Sequence, residues 1–114
     1  MKLVKDKVAL SELKQMSEKM FGQLVKAVID IEKELMVVDA EMHADQEEFL
    51  LEQDSKQENL WGINFHPYIQ GDDWIEFDSM INMRPAWGNK SRSVDSPELR
   101  KKIIKIVNKL VIYD

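Results

Sequence analysis

The sequence predicts an α+β fold, a single domain of residues 1–114 in which antiparallel β-hairpins pack against about three helices. Three observations predict it. Residues 97–110 form an amphipathic helix with a clear start signal. Residues 60–66 and 74–84 alternate apolar and polar side chains with the period of a half-buried strand. The 114 residues contain no Gly/Ser/Pro linker or internal repeat, and 44% are hydrophobic against 32% charged, a composition that supports one core.

Taken in order, "KLVK" is a short first strand. In "SELKQMSEKMFG", Ser11 is placed to cap a helix, Leu13, Met16 and Met20 share a stripe, and Gly22 is placed to end it in a left-handed conformation. The segment 24–42 has two readings. Leu24, Val28, Ile31, Leu35, Val38 and Met42 follow helical spacing, whereas Val25, Ala27, Ile29 and Ile31 alternate by two. The preferred reading is a hairpin turning at "IEKE"; the rival is one long helix running into Gln53. Asp45 and Glu48 are a capping pair for a helix through "QEEFLLEQ".

"LWGINFH" then places Trp61, Ile63 and Phe65 on one side and Gly62, Asn64 and His66 on the other. In "WIEFDSMINMR", Ile75, Phe77, Ser79, Ile81 and Met83 oppose Trp74, Glu76, Asp78, Met80, Asn82 and Arg84, and Pro85 ends the run. The two stretches fit as a hairpin with His66 opposite Trp74, Phe65 by Ile75, Asn64 by Glu76, Ile63 by Phe77 and Gly62 by Asp78. This register keeps apolar with apolar, and a slip by one residue would mix the faces. Trp74 and Met80 on the polar side suggest that a helix, a ligand or another subunit covers that face. In the last helix Ser96 caps, Pro97 takes the first helical position, and Leu99, Ile103, Ile106, Val107 and Leu110 form the buried face.

Composition excludes several classes of chemistry. With no cysteine there is no disulfide, thiolate metal site or cysteine nucleophile, in keeping with a reducing, cytoplasmic setting. The N-terminal stretch has no apolar signal region, and no apolar run approaches the roughly 20 residues of a membrane helix. The net charge of −5 argues against nucleic acid as a partner. Charge is unevenly placed: between Asp39 and Glu58 the only base is Lys56, while residues 84–109 are dominated by Lys and Arg. Such asymmetry can steer an anion or match a second copy of the chain, although two solvated helix faces explain it more simply. Dinucleotide, P-loop, nucleophile-elbow and HExxH motifs are absent, and no cofactor is expected.

Three groups of residues are candidates for chemistry. Glu41, His43 and Asp45 in "EMHAD" would share one side of an extended chain and present a mixed nitrogen and oxygen metal set; a strand–helix junction with a locally bonded histidine is the simpler reading. His66, Glu76 and Asp78, with Asn64 across the ladder, combine neighbouring carboxylates with a histidine and suit acid/base work. Asn82, Arg84, Trp87, Asn89, Ser91 and Arg92 cluster bidentate cations, neutral donors and a stacking ring, which suits an oxyanion or phosphorylated ligand. Same-face residues lie about 6.7 Å apart along a strand, so Glu76 to Arg84 would span roughly 27 Å, too long for one small-ligand site. A plain solvated sheet face accounts for most of the carboxylate half.

The pattern "HAD … WGIN … FDSMINMRPAWGNKSR" resembles an uncharacterised prokaryotic family known as domain of unknown function 5674, with similarity running from "FGQLVKAVIDIEKE" to the final helix. The resemblance implies a compact stand-alone domain and assigns no activity, cofactor or catalytic residue. Two functions follow as expectations. The first is a small-molecule binding protein or enzyme that takes an anionic ligand at the basic loop. The second is a protein-interaction module or homo-oligomer that uses a partly apolar sheet face with Trp74, Met80 and Trp87.

Overall fold

The computed structural model describes residues 1–20 and 23–114; the predicted helix-ending role of Gly22 lies outside the described residues. Seven strands and three α-helices follow along the described residues: β1 (Lys2–Val4), β2 (Val8–Ala9), α1 (Leu10–Ser17), β3 (Val25–Asp30), β4 (Leu35–Val38), α2 (His43–Glu52), β5 (Leu60–Phe65), β6 (Ile75–Glu76), α3 (Pro97–Leu110) and β7 (Val111–Ile112). The architecture is α+β: a fully antiparallel five-stranded sheet in the order β1-β4-β3-β5-β6, with three helices. A second, two-stranded parallel sheet joins β2 to β7 and ties the two ends of the described chain together.

The sheet is covered on both faces, so β5 is buried at every position. One face carries Val25, Ala27, Ile29, Met36, Val38, Trp61, Ile63, Phe65 and Ile75, packed with Leu13 and Met16 of α1 and with Ile103, Ile106, Val107 and Leu110 of α3. The other carries Val28, Val37 and Leu60 against Leu50 of α2, with Phe49 and Ile81 beside them. The expected cover over the polar side of β5 is therefore α2. Trp74 is not on that side. It is buried, stacked on Phe65 at 4.7 Å between ring centroids and edge-on to Tyr113.

The hairpin reading of 24–42 is the correct one. No Asn-Gly is needed at its turn because Asp30 supplies the turn chemistry. Its Oδ1 accepts the N–H groups of Glu32 and Lys33, both at 2.9 Å, and its Oδ2 accepts the Ser55 hydroxyl at 2.7 Å. Glu34 closes the turn with φ 55°.

Two caps differ from expectation. Ser11 lies one residue inside α1, where its N–H and hydroxyl bond the Asp114 carboxylate; Glu12 reaches back to the Ala9 N–H instead. In α2 the N-cap is Met42 with no side-chain bond, and Asp45 sits within the first turn rather than before it. The start of α3 is as read: the Ser96 hydroxyl accepts the Leu99 N–H at 3.2 Å and Pro97 opens the helix.

The hairpin register of β5 and β6 holds for Asn64 opposite Glu76 and Phe65 opposite Ile75, and the His66 N–H reaches the Trp74 carbonyl at 2.7 Å. It then stops. Phe77 to Arg84 is not the continuous strand that the alternation predicts, and the pairs Ile63–Phe77 and Gly62–Asp78 do not form. Ser79 instead starts a turn of 3-10 helix, Met80–Asn82, and its hydroxyl accepts the Ile81 N–H. Gly62 allows this departure. A Cβ there would lie 2.6 Å from both Cβ and Oγ of Ser79, so the loop occupies the space that any other residue would fill.

Candidate functional site

Where the strand ends, side chains take over its bonding. The Asn82 amide pairs with both backbone groups of Gly62: its Oδ1 accepts the Gly62 N–H and its Nδ2 donates to the Gly62 carbonyl, each at 2.9 Å. Two residues on, an Arg84 Nη donates to the Leu60 carbonyl. The predicted anion-gripping group is thus turned inward. Arg84 is only 8% exposed, its guanidinium lying 4.9 Å from the Trp61 ring centroid and 5.6 Å from that of Trp87, with Glu47 at 3.4 Å. Burial pushes the guanidinium pKa down, and Glu47 opposes that shift.

Asn89 is also buried. Its Nδ2 donates to the carbonyls of Asn82, Ser91 and Ser93, and its Oδ1 accepts the Asp95 N–H. The Ser91 hydroxyl is held by Asp95. Asn82 and Arg84 therefore tie the loop to β5, while Asn89 and Ser91 tie the loop to itself, with Gly88 at φ 88° completing the turn. Trp87 is 57% exposed. Of the predicted anion group, Arg92 lines a cavity with residues of α2, β3 and β5.

The carboxylate group divides. Glu76 accepts from the Asn64 amide at 3.0 Å and pairs with the His66 Nε2 at 3.2 Å. Burial works against the Glu76 carboxylate, but those two bonds outweigh it and hold its pKa below the ordinary range. Asp78 turns the other way and accepts from Arg92 Nε at 2.7 Å, with both side chains about half exposed.

The metal candidates do not converge either. His43 is buried, while Glu41 and Asp45 are exposed. Among the described residues no group of three His, Cys, Asp or Glu could hold a metal ion.

His43 belongs instead to a small cavity of about 190 Å³ lined by Lys26, Met42, His43, Ala44, Asn64, Asp78, Ser79, Met80, Ile81 and Arg92. It lies between the N-terminus of α2, the polar face of β3 and β5, and the loop after β6. Since a carbonyl can only accept, the 2.8 Å contact between His43 Nε2 and the Ile63 carbonyl fixes the proton on Nε2. The lone pair is then on Nδ1. Burial pushes the His43 pKa below its usual value, and the positive charges of Lys26 and Arg92 act in the same direction. The ring is therefore a neutral acceptor at pH 7.

With His43 neutral, Lys26, Arg92 and Asp78 leave one net positive charge in the lining. The uncapped start of α2, with Met42 and Ala44 in the wall, adds roughly half a charge more of the same sign. Asn64 is 4% exposed and its Oδ1 has no partner, a buried acceptor in the wall.

Sequence reasoning singled out His43 and Arg92 but placed them in different sites. Lys26 was missed because, in a strand, it reads as an ordinary solvent-facing residue. The one available signal was that a lysine interrupts an otherwise apolar run, "LVKAVI".

A larger, half-open cleft of about 670 Å³ lies on the opposite side of β5, between the loop 67–72 and the chain end, and Lys14, Tyr68, Trp74 and Tyr113 are in its wall. Three of its polar side chains are hydrogen-bonded: Tyr68 donates to Glu18, Tyr113 to Asn108, and Asp114 accepts from Ser11.

No described helix is long and apolar enough to cross a membrane. No curated protein and no solved structure matches the chain. Residues 2–110 match the model of the family described as protein of unknown function (DUF5674). That match covers all ten elements except β7, and on it the chain belongs to the DUF5674 family.

Proposed function

We propose that this protein binds a small anionic molecule in the cavity at the start of α2, with Lys26 and Arg92 as the cations and His43 as a neutral acceptor or general base. The observation that carries the reading is the convergence of an uncapped helix N-terminus, two basic side chains and a histidine of fixed tautomer on one cavity. Such a site favours an oxyanion because the open N–H groups and both cations offer donors, and the helix dipole has the matching sign. A volume of about 190 Å³ holds the equivalent of about six waters at roughly 30 Å³ each, the size of a phosphate or a short carboxylate. Arg92 already pairs with Asp78 through Nε, which orients the guanidinium and leaves its two Nη groups for the ligand. If the bound molecule reacts, His43 Nδ1 is the group to take its proton.

The ligand therefore moves from the basic loop at Arg84 to the opposite end of the α2–β5 contact. The alternative of an interaction module has less support, because Trp74 is buried and α2 covers the sheet face it would have used. The test is an amide-resolved NMR titration with inorganic phosphate and with acetate. Shifts should concentrate at His43, Ala44 and Asp78 and disappear in Lys26→Ala/Arg92→Ala. Shifts that are diffuse, or that survive the double substitution, would refute the reading.

A further inference from the structure

We infer that the anion taken by this cavity carries a short aliphatic tail, and that Met42 and Met80 receive it. The inference rests on the anion reading above and adds the class of molecule.

Two methionines from different elements line the cavity, Met42 at the start of α2 and Met80 in the turn after Ser79. They are 56% and 63% exposed, among the most exposed large apolar side chains in the structure. Ile81 and Ala44 continue the apolar part of the lining.

The position of Met42 carries particular weight. An N-cap is where Ser, Thr, Asp or Asn ordinarily satisfies the first N–H groups of a helix. Methionine there makes no side-chain cap bond and at the same time places an unbranched apolar side chain in the lining of the cavity. Charge and apolar surface are thus adjacent: Lys26, Arg92 and the start of α2 share the lining with the two methionines. A free inorganic ion would use only the charged part. An oxyanion with an alkyl chain of a few carbons would use both, and flexible thioethers suit a chain of variable length. Carboxylate and phosphate monoester heads share the required chemistry.

The experiment measures affinity by NMR titration for acetate, butanoate and hexanoate, and for methyl and butyl phosphate, with the Met42 and Met80 ε-methyl resonances as a second readout. Affinity should rise about two- to fourfold per added methylene. The methionine methyls should shift with the long ligands and not with acetate. In Met42→Ala/Met80→Ala, which removes both thioethers without adding a capping hydroxyl at the start of α2, acetate should bind as before while the gain with chain length falls to near nothing. A rise in only one head series identifies the head and supports the tail.

Equal affinity along both series, with binding still dependent on Lys26 and Arg92, would overturn the tail and leave the anion site standing. A rise that is unchanged in the double methionine variant would also overturn it. Failure of every ligand to perturb the Lys26 and Arg92 region would overturn the anion reading and the tail together.

Discussion

Arg84 offers the sharpest test of how this loop works. If its guanidinium were a solvent-facing ligand grip, Arg84→Ala would leave stability almost unchanged and abolish binding. The structure requires the reverse. The group is 8% exposed, donates to the Leu60 carbonyl, faces Glu47 at 3.4 Å, and lies over the indole of Trp61, with that of Trp87 close by. Removing one partner of a buried pair costs about 3–5 kcal/mol. Glu47 keeps 16% of its side chain exposed and can partly rehydrate, which favours the lower end, while the lost contact with the indoles adds about 0.5–2 kcal/mol. Arg84→Ala should therefore destabilise the domain by about 3.5–5 kcal/mol, or lower Tm by roughly 15–20 °C for a chain of this length. Arg84→Lys should recover less than half of that, because lysine lacks the planar fork that bonds and stacks at once. Urea unfolding followed by tryptophan fluorescence measures both. A loss under about 0.5 kcal/mol for Arg84→Ala would refute the structural role and return Arg84 to the list of exposed ligand groups.

Further expectations concern the cavity, the loop and the core. Gly62→Ala forces Ser79 to move and should cost about 1–3 kcal/mol by urea unfolding, with amide shifts at Ser79 to Ile81. His43 should titrate below 6.5 by NMR. Because the unfolded chain then binds more protons, its contribution to stability is intact above about pH 6.5 and declines as pH falls through the folded-state pKa; His43→Gln should flatten that part of the stability–pH curve. Glu76 adds a second acid-side loss, its contribution present above its unfolded pKa and declining as pH falls through the lowered one, and Glu76→Gln should remove that limb. Ile103→Asp puts a charge where exposure is 0% and should abolish cooperative melting in calorimetry.

Much of the fold was legible in the sequence. The α3 helix was readable because cap, proline and apolar spacing agree, and the β5–β6 parity because both faces alternate. The β3–β4 hairpin was ambiguous because its apolar residues fit both periods, and the turn is made by the Asp30 carboxylate rather than by a glycine. The 74–84 run misled because alternation reports which side chains are polar and not what binds them. Asn82 and Arg84 are polar at strand spacing because they hydrogen-bond every second residue of β5, which imposes the same period of two from outside the strand. The pairing of β2 with β7 left no signal, as two-residue strands have no period. The site was legible in part: His43 and Arg92 stood out, but Lys26 and the open start of α2 come together only through the sheet order.

The bonds from Asn82 to Gly62 and from Arg84 to Leu60 also bear on how the protein behaves at high concentration. Beyond β6, the outer rim of β5 would offer free N–H and C=O groups to any passing extended chain, the usual route to edge-to-edge aggregation. One amide and one guanidinium fill those positions, so the rim is closed without a sixth strand. Asn82→Ala would reopen it, and its first sign should be self-association that grows with concentration while most of the core remains intact.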